Sequence, residues 1–174
     1  MDLYLVRHAR TFRKDPDRWP KDSRRPLTPE GEEEFRLAAG GLARIVPRVE
    51  VIISSAARRA WQTAEILSEL DSWPAPEPSP MLRADSRHTS PEKVTLTLED
   101  YAEAKSVAVV GHKPRLQELA AYLLCGEGDR MKMSIRKGSV TCISFEGAPA
   151  PGTGKLRWLL TPEVLRFLAA QPFS

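Results

Sequence analysis

Residues 1–10 read MDLYLVRHAR. Leu3, Tyr4, Leu5 and Val6 make a short apolar run with β-favouring members, long enough for a buried strand. The run stops at Arg7-His8. A chain seldom ends a core strand on two such polar side chains without a partner for the charge. In open α/β sheets, ligands sit at strand ends. Arg offers a planar fork of donors suited to phosphate, and His is a nucleophile that titrates near neutral pH. The opening therefore predicts a strand that delivers a phosphate-handling pair. The dipeptide by itself leaves open a plainer reading, a surface Arg-His after an edge strand.

Two further segments repeat the pattern. Val49–Ile53 is a second apolar strand, closed by Ser54-Ser55 and followed by a helix to about Leu70 with Arg58 and Arg59 in its first turn. Cations at a helix N-terminus are locally unfavourable unless an anion lies between them. Val107–Val110 is another buried strand, and it runs into Gly111-His112-Lys113-Pro114. In a parallel sheet the carboxyl ends of the strands share one edge, so Arg7, His8, Arg59 and His112 can converge.

The remaining elements fit between these. Residues 11–27 form a long polar loop whose basic residues and Trp19 could frame an entrance for an acidic partner; long loops in compact domains are often functional. Thr28-Pro29-Glu30 is a helix start, with Phe35, Ala38, Leu42 and Ile45 on the inner face. Asp71–Pro80 reads as a proline-rich linker, with a short strand starting near Met81-Leu82. Ser90-Pro91-Glu92 and Thr161-Pro162-Glu163 repeat the helix-start chemistry. A helix runs from about Pro114 to Leu124 with Leu116, Leu119, Ala120 and Leu123 inward. Ser139–Phe145 and Leu156–Leu160 read as paired strands, and the terminal helix should bury Leu165, Phe167 and Leu168. Alternating strands and helices predict an α/β fold, a three-layer sandwich with a mainly parallel central sheet flanked by helices.

Composition narrows the class of function. The 174 residues favour one domain, 1–174, with a real core. Charged residues make up 28%, yet 26 Lys plus Arg against 23 Asp plus Glu leave a net charge of only +3, which does not argue for nucleic acid. No apolar run approaches the ~18 residues of a membrane-crossing helix. The first residues lack a signal-peptide pattern, so the cytoplasm is the expected location, and a monomer is the expected state. Cys125 and Cys142 are isolated, which predicts buried, reduced thiols and neither a disulfide framework nor a CxxC metal signature.

The segments LVRHA (5–9), SSAARRAWQTAEIL (54–67) and VVGHKP (109–114) resemble the three signature segments of the histidine phosphatase superfamily, the phosphoglycerate-mutase-like fold. RRPLTPEG (24–31) resembles the RPLT-x-x-G segment of the small bacterial phosphohistidine phosphatases of the SixA type, and LRWLLTPEVL (156–165) resembles their Trp-containing last strand and Pro-started helix. The likeness spans nearly the whole chain, without a large cap insertion. It implies that His8 is a nucleophile forming a phosphohistidine intermediate, with its other ring nitrogen donating to a backbone carbonyl. It further implies that Arg7, Arg59 and a protonated His112 bind the phosphate oxygens, and that no metal or other cofactor is needed. The functional Arg precedes Ala in the family pattern, which selects Arg59 over Arg58.

Two points depart from that pattern. Ala9 stands where the family has Gly, whose backbone is freer. The general acid of larger members has one candidate here, Asp85 in MLRADSRH (81–88), and a solvated loop Asp is the alternative; His88 reads as a surface residue. Three functions follow as expectations. The first is hydrolysis of phosphohistidine on a signalling or phosphotransfer protein. The second is hydrolysis of small phosphomonoesters with Asp85 as acid. The third is a non-catalytic phosphate-binding module, suggested only by Ala9.

Overall fold

The apolar run at the start of the chain becomes a strand, Asp2–Arg7 (β1), near the middle of a six-stranded sheet. The computed structural model describes residues 1–83 and 89–172. After β1 come α1 (Pro29–Ile45), β2 (Val51–Ser54), α2 (Arg58–Ser68), β3 (Glu77–Pro78), α3 (Pro91–Glu99), β4 (Ser106–Gly111), α4 (Arg115–Cys125), β5 (Val140–Ser144), β6 (Lys155–Leu160) and α5 (Pro162–Ala170). The sheet order is β3-β2-β4-β1-β5-β6. β1 is parallel to β4, β4 to β2 and β2 to β3, while β5 runs antiparallel to both β1 and β6. The carboxyl ends of β1, β2 and β4 therefore share one edge.

Side chains alternate faces along a strand, and β1 uses both. Tyr4 and Val6 pack in one core with Phe35, Leu42, Ala64 and Leu165. Leu3 and Leu5 pack in the other with Leu98, Leu116, Leu119 and Leu123. Helices cover both faces, as the continuous apolar strands require.

All three Thr/Ser-Pro-Glu segments start helices, with Thr28, Ser90 and Thr161 at the N-cap and Pro at the first helical turn. The Thr28 side chain accepts a hydrogen bond from the Gly31 N–H at 3.0 Å. The third strand differs from expectation. It forms at Glu77–Pro78, inside the proline-rich stretch, and Pro80–Leu82 is a 3-10 turn. Pro78 is tolerated because β3 is an edge strand, where a missing N–H costs no ladder bond.

Three burial expectations also change. Phe167 is 65% exposed, because it lies two residues, about 200° of helix, beyond the buried Leu165. Ile45 is exposed, and Val46, which follows it out of α1, takes the core position. Cys125 is only partly buried, while Cys142 is buried and its thiol is pushed up to about 12, first by burial and then by the Asp2 charge.

Candidate active site

Arg7 and His8 leave the carboxyl end of β1, Arg59 lies in the first turn of α2, and His112 follows β4. The sheet brings all four together. The His8 and His112 rings are 5.1 Å apart, centre to centre, and tilted by 55°. His8 and Arg59 are each 5% exposed and His112 6% exposed. Arg58, one residue earlier on α2, is exposed.

His8 Nδ1 lies 2.8 Å from the Ala9 carbonyl oxygen. That oxygen can only accept, so Nδ1 carries the ring proton and Nε2 is left with its lone pair. Burial is the main cause holding His8 well below its usual pKa; the nearby His112, Arg59 and Arg7 add to it, and the Ala9 bond opposes it. His8 is thus neutral near pH 7, as a nucleophile must be. Ala9 has no positive φ, and its N–H donates to Thr63 Oγ1 at 3.1 Å. The residue that replaces Gly therefore sits here without backbone strain.

His112 differs from expectation. Burial, and then the Arg59 charge, lower its pKa to about 3, so it is neutral rather than protonated. Its Nε2 lies 2.9 Å from Ser55 Oγ, which itself accepts the Ala57 N–H at 3.3 Å. The Ser55 hydroxyl proton is then available to Nε2, and His112 Nδ1 carries the ring proton. A neutral His112 can still donate.

Arg7 Nε, Arg59 Nε and His112 Nδ1 are all buried without a hydrogen-bond partner. An unmet buried donor costs ~1–3 kcal/mol, and three on the residues around one histidine make a site that fits an anion. Three other nitrogens of the two arginines are committed. Arg7 Nη1 donates to the Ile135 carbonyl at 2.7 Å. Arg59 Nη1 donates to the Asp22 carbonyl at 2.8 Å, and its Nη2 lies 3.1 Å from the Asp22 carboxylate. The same carboxylate pairs with Arg25 Nε at 2.9 Å. Burial raises the Asp22 pKa, but the Arg25 hydrogen bond and the Arg59 and Arg25 charges outweigh it and hold the group below its usual value.

Asp22, Ser55 and Thr63 were not found by sequence reasoning. Asp22 and Arg25 have the i, i+3 spacing of an ion pair, the only local signal for any of them. The loop at 11–27 thus reaches the site through an acidic residue, although its cations draw the eye. Asp85 and His88 lie outside the described residues. Among the described residues, no cluster of three His, Cys, Asp or Glu side chains is placed to hold a metal ion, and no helix is long and apolar enough to cross a membrane. A cleft of about 360 Å³ runs past Ser55, with Ala56, Ala57 and Pro80 as apolar walls and Ser79 and Arg83 as polar ones.

Comparison with known proteins places these features in context. Residues 3–83 match the model of the histidine phosphatase superfamily (branch 1). The phosphohistidine phosphatase SixA of Escherichia coli K12 is 32% identical over 175 residues, covering 98% of this chain and 99% of that protein. The solved structure of the protein histidine phosphatase SixA complexed with tungstate superposes with a TM-score of 0.77 at 26% identity, over 95% of this chain and 99% of that one. The α-ribazole phosphatase of Shigella flexneri shares the fold, with a TM-score of 0.72 at 18% identity over 93% of this chain and 97% of that one.

Proposed function

Because the chain belongs to the histidine phosphatase superfamily, we propose that it is a metal-independent phosphatase that hydrolyses phosphohistidine on a signalling or phosphotransfer protein through a phosphohistidine intermediate on His8. The observation that carries this reading is the neutral His8, its Nδ1 on the Ala9 carbonyl, beside the unpaired buried donors of Arg7, Arg59 and His112.

In the first step His8 Nε2 attacks phosphorus in line. The Nε2–P bond forms as the P–N bond of the substrate histidine breaks, and the departing imidazole keeps the bonding electron pair and is protonated from solvent. Water then attacks the phosphorus on His8, releasing inorganic phosphate and regenerating the free ring. Arg7, Arg59 and His112 donate to the equatorial oxygens throughout, so charge spread over them in the transition state is met by donors already in place. The two arginines supply the positive charge that a metal ion supplies in other phosphoryl transfers.

The choice of substrate rests on the leaving group. An imidazole leaves with little proton donation, whereas an alkoxide needs a positioned acid, which typically contributes about 10²–10⁴-fold. The described part of the site holds no carboxylic acid poised to donate, since Asp22 is ionised and bound between two arginines. The test compares rates on matched phosphohistidine and phosphoserine peptides with EDTA present, for wild type, His8→Ala and Asp85→Asn. The expected result is fast phosphohistidine hydrolysis, slow phosphoserine hydrolysis, loss of turnover in His8→Ala and little change in Asp85→Asn. Equal rates on both peptides, or a crippled Asp85→Asn, would favour a phosphomonoesterase.

A further inference from the structure

A second cleft, of about 520 Å³, adjoins the phosphate pocket because Arg7 stands in its wall. Arg10, Arg136, Lys137 and Arg166 line it as well, against two carboxylates, Glu34 and Glu163. Five cations thus face two anions in one cleft, on a chain whose whole net charge is +3. These residues come from separate parts of the chain: the end of β1, the loop after it, α1, the segment before β5, and α5.

Lys137 is the member whose place is tied to the site. The Gly138 N–H donates to the Arg7 carbonyl at 3.0 Å and to the His8 carbonyl at 3.2 Å, and the Arg7 N–H donates to the Ser139 carbonyl at 3.1 Å. Arg7 Nη1 bonds the Ile135 carbonyl of the same segment. Residues 135–139 are therefore strapped to the Arg7-His8 dipeptide on both sides of Lys137. Gly138 makes this possible with φ +75, a left-handed conformation that suits glycine.

The charges around Lys137 are unequal. Arg10 pairs with Glu34 at 3.4 Å and Arg136 with Glu163 at 3.5 Å, both exposed and loose. Lys137 makes no ion pair among the described residues, and it is exposed. Its pKa is lowered, first by partial burial and then by the charges of Arg7, Arg25, Arg59 and Arg10. A carboxylate placed beside it would relieve that repulsion.

We propose that this cleft docks an acidic stretch of the phosphorylated partner protein, with a carboxylate a few residues from the phosphorylated histidine seated on Lys137. The proposal rests on the reading of the phosphate pocket above and adds to it the kind of sequence recognised. An open cleft with exposed, loosely paired walls suits a peptide making several weak contacts better than a small metabolite, which needs enclosure. Two carboxylates in the wall would repel the continuous phosphates of a nucleic acid, but they can be avoided by a peptide whose charges are spaced.

The test is a binding comparison with peptides that carry a stable triazole analogue of phosphohistidine, flanked by Glu or, in the control, by Gln. Calorimetry at low ionic strength gives their affinities for wild type, Lys137→Gln and Lys137→Arg, and inorganic phosphate is titrated into each protein as a reference. Wild type should bind the acidic peptide about fivefold or more tightly than the neutral one. Salt should narrow the gap, Lys137→Gln should lose most of it, and Lys137→Arg should keep it. Equal affinities in wild type, or a preference that survives in Lys137→Gln, would overturn the proposal. So would an equal loss of phosphate affinity in Lys137→Gln, because Lys137 would then belong to the phosphate pocket. Turnover of a neutral phosphohistidine peptide, followed in parallel, tests the hydrolytic reading alone, and its failure leaves the binding comparison decisive for the cleft.

Discussion

Arg58 and Arg59 are adjacent and chemically identical, yet α2 sends one to solvent and the other under the loop at 11–27. Successive residues on a helix point about 100° apart, so only one of the two can face the sheet edge. Arg59 leaves one buried nitrogen, Nε, without a partner while Asp22 holds its other end. Removing one preorganised donor to the transition state typically costs about 10²–10³ in kcat. Arg59→Ala should therefore lose turnover on that scale and weaken inhibition by phosphate or tungstate, while Arg58→Ala changes either by less than about threefold. Steady-state kinetics with phosphate as inhibitor makes the comparison, and equal losses would mean that the wrong arginine carries the anion. The preference for Arg59 came from the resemblance, in whose pattern the functional Arg precedes Ala. Its bond to Asp22 was not, because 37 residues separate the two and only the folded loop joins them.

Among the elements, the start of α1 couples helix and site. The Arg10 carbonyl, two residues after His8, accepts the Thr28 N–H at 3.2 Å. At Gly31 a Cβ would lie 2.3 Å from that same Arg10 oxygen. The first turn of α1 can approach the chain leaving β1 only because residue 31 has no side chain. Gly31→Ala should push the two apart and cost about 1–3 kcal/mol, the usual penalty for overpacking, read from urea unfolding midpoints. A variant as stable as wild type would show that the contact relaxes freely. The helix starts were legible because capping is local chemistry, settled within four residues. The two-residue β3 was not, because it is held by partners distant in sequence, β2 across the sheet and Tyr101, whose hydroxyl donates to Glu77.

Over the whole molecule, two buried histidines link the site to stability. Both are neutral when folded, His112 with its pKa at about 3 and His8 well below the usual value. Unfolded, each returns to a pKa near 6.5. Between these limits the unfolded chain binds protons that the folded chain does not, so stability rises with pH there and falls as pH drops below about 6.5. The slope is at most about 1.4 kcal/mol per pH unit for each histidine. Asp22, with its lowered pKa, contributes stability that is lost as pH falls from the ordinary carboxylate pKa through its own lowered one. Chemical denaturation between roughly pH 7.5 and 5 should therefore show a clear loss, shallower in His112→Asn. A flat profile in wild type would mean that the two rings take up protons in the folded state.

The sequence by itself determined the α/β architecture, the three Pro-led helix starts, and the placement of Arg7, His8, Arg59 and His112 at strand ends and a helix start. Strand runs and caps are read over a few neighbouring residues, and the three strand-end segments repeat one chemical theme. Tertiary structure alone decided the protonation and the partners. Burial beside two arginines makes His112 neutral where its family role suggested a charge. The chain crossing brings Asp22 to Arg59, Ser55 to His112 and Lys137 to the cleft beside Arg7. A pKa depends on how much solvent is excluded and on which charges lie near, and a hydrogen bond depends on where two distant segments meet. Both are fixed by the packing of the sheet and its loops, and a linear order of residues does not contain them.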